Sequence, residues 1–376
     1  MKKVIIALAF LPSALSLSAQ KKMPAEVRVP MTPERWEVKA GTATFTEFKS
    51  KPAIQLLTQN NAVVVKDLNF TNGTVEFDWA PDGPNFAAFY FRRKDTLETE
   101  CFYLRTHVEG VPNAMQAVQY APYLDGINLW DLLPNYQGPA DIKKNEWNHL
   151  KLVISGRRML AYVNDMERPA LVVPQLMGNT QSGALAFDGA GKIANLTIRP
   201  DQVSGLSPEP ESDPTYNDPR YIRKWKISQP KDLPVGQEPF NVKAPELKEE
   251  WTGITAERLG IINITRLHGG TPRGARRLAW LKVKLKTPVA QTRRVELGFN
   301  DEIWIYINGI SLYTDKNVFG TPASKPPLGR MSTDNAHFDL PLKAGENELL
   351  VGISNNFYGW GLIARLDNME GIEVID

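Results

Sequence analysis

The sequence predicts an all-β protein made of two antiparallel β-sandwiches in tandem, and three observations carry that prediction. Apolar and polar side chains alternate with period two, as in Leu150, Leu152 and Ile154 against Lys151 and Ser155, and in Leu281, Val283 and Leu285 against Lys282, Lys284 and Lys286. Turn dipeptides such as Asn72-Gly73 and Asn308-Gly309 punctuate these runs. A proline-rich stretch without apolar pattern, 201–218, divides the chain into halves that can each bury a core.

The first nineteen of the 376 residues read as a cleaved export signal: Lys2 and Lys3, the apolar run 4–11, then Leu17-Ser18-Ala19. That expectation puts the mature protein in the periplasm or outside the cell. No apolar run reaches the length of about 18–20 residues that a spanning helix needs, so membrane insertion is not expected. A single cysteine, Cys101, rules out a disulfide framework. The formal charge of +2 falls to near zero without the signal, which disfavours nucleic acid as a partner and points to a neutral ligand. The organisation expected is a signal at 1–19, a first sandwich at 20–200, a linker at 201–218 and a second sandwich at 219–376.

Strand candidates open the first half at Trp36 to Val38, Gly41 to Phe48 and Ala53 to Leu57, followed by Thr74 to Trp79, where Val75, Phe77 and Trp79 share one face. In 86–93, Phe89 and Phe91 share a face and Tyr90 and Arg92 the other. In 101–107, Phe102 and Leu104 oppose Tyr103, Arg105 and His107. One face is therefore a plain core, and the other gathers Tyr, Arg and His. The strand 115–120 adds Gln116 or Gln119, and Tyr120, to that second face. An aperiodic segment, 122–141, carries Tyr123, Asp125, Asn128, Trp130, Asp131 and Tyr136; loops this long are commonly functional. The second half offers a strand at 223–228, a short helix at 245–259, and strands at 281–286, 295–299 and 303–307.

Trp147-Asn148 leading into an aliphatic strand, a turn at Gly156 and the segment YVND (162–165) resemble the back-sheet hairpin of concanavalin A-like lectin/glucanase (laminin G-like) domains, and KIANLTIRP (192–200) resembles their closing strand. The segments DEIWIYINGISLY (301–313) and ENELLVGISNNFYGWGLIARL (346–366) resemble the galactose-binding-like jelly roll. Together these resemblances imply a concanavalin A-like jelly roll followed by a galactose-binding-like β-sandwich, with carbohydrate as the ligand class. Trp36, Val38, Gly41 and the WN…G…YVN pattern are also similar to 3-keto-disaccharide hydrolase-like members of the fold, which implies glycosidic-bond cleavage as an alternative activity. A structural surface module is a third reading.

Sugar recognition needs aromatic faces for the apolar side of a pyranose and planar donors for its hydroxyls. Candidate binding residues are accordingly Tyr90, Arg92, Tyr103, Arg105, His107, Tyr120 and Trp130 in the first half, with Asn355, Tyr358 and Trp360 in the second. The bland alternative packs the first face beneath the 122–136 loop, and has Phe357 and Trp360 close the barrel end or dock against the first domain. Glu76 and Asp78 match part of the Glu-x-Asp-x-x-Glu motif of retaining glucanases on the resembled fold, but Pro81 occupies the third position. A two-carboxylate mechanism thereby lacks a partner. No His or Cys pair has metal-ligand spacing, and no cofactor is expected; Asp188, with Gly189 and Gly191 following it, is a candidate calcium ligand.

Overall fold

The computed structural model describes residues 25–83, 86–239, 250–272 and 274–375. The export signal expected at 1–19 lies outside these. Among the described residues the regular secondary structure is almost entirely antiparallel strand, arranged as two double-sheet β-sandwiches.

The first sandwich pairs an eight-stranded sheet with a seven-stranded one. In the larger sheet Gly73–Pro81 lies at the centre, between Asn148–Ser155 and Gly191–Pro200, and Arg158–Val163 continues the meander beyond Asn148–Ser155. The smaller sheet runs Gln137–Ala140, Ala114–Tyr120, Glu100–Arg105, Phe86–Arg93, Ala184–Gly189, Val63–Val65 and Trp36–Glu37. Between the sheets the alternation seen in sequence becomes a core in which Phe77 meets Phe89 and Phe187 at ring-centroid distances of 4.9 Å each, and Trp36 and Trp79 close against Phe187. Rings of this size bury enough apolar area to dominate the domain's stability.

Arg277–Thr287 is the central strand of the second sandwich's larger sheet, with Gly345–Asn355 and Lys224–Ser228 beside it, and Asp301–Ile307 next beyond Gly345–Asn355. Its partner sheet is Ile262–Asn263, Gly361–Leu366, Gln291–Phe299 and Ala336–Leu342. Leu281, Val283 and Leu285 point into the core and Lys284 and Lys286 to solvent, as alternation requires. In Asp301–Ile307 both faces are covered: Ile303, Ile305 and Ile307 join the core, while Trp304 packs with Leu278, Trp280 and Leu350 on the far side. The helix expected over 245–259 is not formed in its described part, because Trp251–Thr255 pairs as an edge strand with Lys224–Ser228 and only Arg258–Gly260 turns as a 3-10 segment. A five-residue α-helix instead spans Ile264–His268, capped by the Asn263 side chain accepting from the Arg266 amide.

The stretch 201–218 carries no strand but is tied down at both ends. Glu211 pairs with Arg158 of the first sandwich, the Pro208 carbonyl accepts from the Arg157 amide at 2.9 Å, and Asp213 pairs with Arg223 of the second at 3.0 Å. The 122–141 segment is likewise ordered, containing a small hairpin of Tyr123–Leu124 and Ile127–Asn128. Its far end is driven into the second sandwich. Asp131, 2% exposed, accepts hydrogen bonds from the Gly359 amide and from Asn300 Nδ2 at 3.1 Å each, and its carbonyl accepts from the Met331 amide at 2.9 Å. The approach is so close that a Cβ on Gly359 would stand 2.6 Å from Asp131 Oδ1.

Candidate functional site

The smaller sheet of the first sandwich presents its outer face toward the second sandwich, and between them lies a cleft of about 510 Å³. That volume falls in the roughly 300–1,000 Å³ range of small-ligand sites. The floor comes from alternate residues of neighbouring strands: Ala88 and Tyr90; Cys101, Tyr103 and Arg105; and Asp188. The 122–141 segment supplies one wall through Tyr123, Asn128 and Trp130, and the opposite wall is Phe319, Leu328, Arg330, Phe357 and Tyr358 of the second sandwich.

Hydrogen bonds fix the floor. Tyr103 donates to Gln119 Oε1 at 2.7 Å; Arg105 donates to the Gln116 carbonyl at 2.7 Å, to the Tyr103 hydroxyl at 3.2 Å and to Gln119 Oε1. Gln119, fully buried, donates onward to the Trp130 carbonyl at 2.8 Å, which couples the floor to the wall. Asp188 accepts from the amides of Asn60 and Gly189 at 3.0 and 2.7 Å and from the Tyr90 hydroxyl at 3.5 Å. Burial raises its pKa, and burial raises the Cys101 thiol well above its usual range, leaving it unreactive. Burial, and then the Arg105 charge, lower the pKa of His107, so its imidazole is neutral at pH 7.

Aromatic rings gather where the two sandwiches meet. Trp130 stands edge-on to Phe319 at 4.8 Å and to Tyr358 at 5.9 Å, and Phe319 stacks on Phe357 at 6.0 Å. The loop carrying Phe357 and Tyr358 is oriented by Asp301, whose Oδ2 accepts from the amides of Asn356 and Phe357 at 2.6 and 2.9 Å.

Of the residues expected to bind, Tyr90, Tyr103, Arg105, His107, Trp130 and Tyr358 line this cleft. Four others do not. A β-bulge places Phe91 and Arg92 opposite the single residue Leu185, and Arg92 takes φ 49°; its guanidinium turns away to the Thr71 carbonyl at 2.8 Å and Asn72 at 3.1 Å. Tyr120 pairs with Phe102 across the ladder and so faces the core, where its hydroxyl meets Glu100 at 2.5 Å; Gln119, opposite Tyr103, takes the outward position. Asn355 is buried and holds its own loop through the Tyr358 and Gly359 carbonyls, both at 3.2 Å. Trp360 is fully buried in the second core.

Lining residues the sequence did not single out include Phe86, Phe319, Leu328 and Arg330. The signal available for the last three was a second long aperiodic stretch, 318–335, between the strands Ile310–Asn317 and Ala336–Leu342.

Glu76 and Asp78 sit elsewhere, on the outer face of the larger sheet. Asp78 meets His149 Nδ1 at 2.8 Å, Lys51 at 2.7 Å and Asn195 at 2.6 Å, and Glu76 meets Arg199 at 2.6 Å. Burial pushes the Asp78 carboxyl up, but these hydrogen bonds outweigh it and hold it at about 2. They form an ion-pair cluster distinct from the cleft. Asp188, considered for calcium, is occupied by the donors named above, and no group of three or more His, Cys, Asp or Glu suited to a metal ion occurs among the described residues.

No family model matches the chain, and no curated protein matches it. Solved structures similar to it include the carbohydrate-binding module CBM66 from Bacillus subtilis, 14% identical over 47% of this chain and 97% of that one, with a TM-score of 0.32. A Bacillus subtilis protein of unknown function with a galectin-like fold is 11% identical over 48% of this chain and 97% of that one, at a TM-score of 0.35. The Bacillus licheniformis β-glucanase is 10% identical over 48% and 99%, at 0.34. At TM-scores this low the likenesses carry no functional argument.

Proposed function

We propose that this is an exported carbohydrate-binding protein whose ligand occupies the cleft between the two sandwiches. The observation that carries the reading is the cleft's lining: Trp130, Tyr358, Phe357 and Phe86 offer ring faces and edges, and Arg105, His107, Gln116 and Asn128 offer planar hydrogen-bonding groups beside them. A saccharide has the matching two-sided chemistry, with C–H faces for the rings and hydroxyls for the amides and guanidinium. Both walls converge on Trp130, so the ligand would touch both domains. Binding is favoured over cleavage by paired carboxylates, because that chemistry needs two carboxyl groups about 5–9.5 Å apart, and Asp188 is the one carboxylate among the described residues lining the cleft.

A glycan array run alongside a hydrolysis screen on plain and oxidised disaccharides tests the reading. Binding without turnover is the expected result. Turnover at the cleft would replace it with the enzymatic reading, and silence in both assays would leave a structural module.

A further inference from the structure

The cleft's charge is unlike that of the chain. Arg330 is 7% exposed, lies in the cleft wall, and its side chain makes no hydrogen bond or ion pair with any described residue; Nε is buried without a partner. Its guanidinium rests 5.3 Å from the Trp130 ring centroid, a cation–π contact that orients the group but does not satisfy its N–H donors. Arg105, 4% exposed, donates only to neutral oxygens, those of Gln116, Tyr103 and Gln119.

The buried guanidinium groups elsewhere in the chain have acceptors against them, Arg92 the Thr71 carbonyl and Asn72 and Arg258 the Glu211 and Ser212 carbonyls, and the half-buried Arg276 and Arg223 pair with Glu302 and Asp213. Neither cleft arginine makes an ion pair among the described residues, and the nearby Asp131 carboxyl acts on Arg330 only through space. Asp188 is already engaged by two amides and a tyrosine hydroxyl. Both arginines line the one cleft, and burial first and the Arg105 charge second lower the pKa of Arg330 against the smaller raising effects of Tyr103 and Asp131. Two like charges held out of water without an ion-pair partner are costly to the folded protein, and a bound anion relieves both the repulsion and the missing hydrogen bonds. The guanidinium fork suits an oxyanion better than a hydroxyl, because two parallel N–H donors meet two oxygens.

We propose that the saccharide taken by the cleft is an acidic one, its oxyanion, a uronate carboxylate or a sulfate ester, held between Arg105 of the first sandwich and Arg330 of the second while the aromatic residues hold its ring. This rests on the saccharide reading above and departs from the neutral ligand that the chain's overall charge suggested. It also gives the ligand a mechanical role: the anion bridges the two domains across their seam.

The test uses the full chain on an array displaying uronate-bearing, sulfated and neutral glycans, followed by titration of the best binder and of its carboxyl-reduced or desulfated form. The expected result is that acidic glycans lead, that neutralising the anion weakens binding by about tenfold or more, and that the preference shrinks as salt is raised. Whichever of carboxyl reduction or desulfation has the effect identifies the source of the oxyanion. Arg330→Gln should lose the preference while still binding neutral glycans, and Arg330→Lys, which keeps the charge but not the fork, should retain part of it; thermal unfolding checks that both fold. Neutral glycans binding as tightly as acidic ones would overturn this inference and leave the saccharide reading standing, as would a salt-independent preference should neither variant fold. An array silent to all three classes would overturn both.

Discussion

Asp131 is the residue on which the two-domain cleft depends, and replacing it by alanine gives a measurable test. Its carboxylate accepts from the Gly359 amide and the Asn300 side-chain amide across the seam, both at 3.1 Å, and from the Leu132 amide within its own loop at 3.1 Å. In Asp131→Ala the two cross-seam donors remain buried against the same neighbours with no acceptor. A stranded buried donor costs about 1–3 kcal/mol, so the pair predicts a loss of ~2–4 kcal/mol. Denaturant unfolding followed by tryptophan fluorescence measures it. The loss also depends on pH in a fixed direction. Burial raises the Asp131 carboxyl from 3.8 to about 7; a raised folded-state pKa stabilises fully below the unfolded value and gives that stability up as pH rises through the folded one. The wild type should therefore weaken between pH 4 and 7, the alanine variant should lack that slope, and the difference between them should be larger at pH 4 than at pH 8. A loss below about 0.5 kcal/mol at every pH would refute the view that this carboxylate holds the domains together.

Further perturbations separate the cleft from its surroundings. Trp130→Ala removes the ring at the junction of the two walls and should weaken saccharide binding about tenfold in the same titration, whereas Arg92→Ala should leave affinity unchanged and lower the melting temperature, since Arg92 holds Thr71 and Asn72 outside the cleft. Gly189 has φ 116° and an added Cβ would lie 1.9 Å from the Phe86 carbonyl oxygen; Gly189→Ala should force the two strands apart, costing about 2 kcal/mol or more in unfolding measurements and displacing Asp188 and Phe86 from the cleft floor. Asp78→Asn should cost ~1–2 kcal/mol, a modest figure because His149 is partly exposed and screened. Asp78 is lowered from 3.8 to about 2 and His149 is raised above 6.5, so their mutual stabilisation is present between those outer limits, lost toward pH 2 as Asp78 protonates and lost above 6.5 as His149 deprotonates. Melting temperature against pH should show the variant's deficit vanish toward pH 2 and shrink above 6.5 to the part held by Lys51 and Asn195.

The alternating pattern was enough to read the strands and their core faces, because period two is a local property: Phe89, Phe102 and Leu104 inward, Tyr103 and Arg105 outward, follow from counting along each strand. Counting fails where the ladder slips or where a starting register must be assumed. The bulge at Phe91 and Arg92 adds one residue to its strand, so Arg92 leaves the face that Tyr90 occupies, and nothing in FAAFYFRR marks that insertion. Tyr120 and Gln119 both read as outward candidates until the pairing with Phe102 and Tyr103 fixed which of them faces the cleft. Trp360 and Asn355 share a segment with Tyr358 in sequence, but one fills the second core and the other holds the turn.

The larger gap is the second wall. Arg330, Phe319 and Leu328 lie in an aperiodic stretch more than 180 residues from the Trp130 loop, and only the docking of the sandwiches brings them to the cleft. That docking is specified by contacts with little sequence signature: an aspartate read as a loop residue, an asparagine at a strand end, and a glycine whose missing Cβ admits both Asp131 and Leu132. The arrangement bears on how the protein would respond to a ligand. The fold holds Arg105 and Arg330 without ion-pair partners on opposite sides of one seam, so the same docking that Asp131 stabilises also brings two positive charges into one cleft. An anion bound between them removes that opposing term, and by linkage the bound state must stabilise the docked domains by as much as docking strengthens the binding. Asp131→Ala should therefore weaken acidic-glycan binding more than neutral-glycan binding, and an equal loss for the two would place the anion outside the seam.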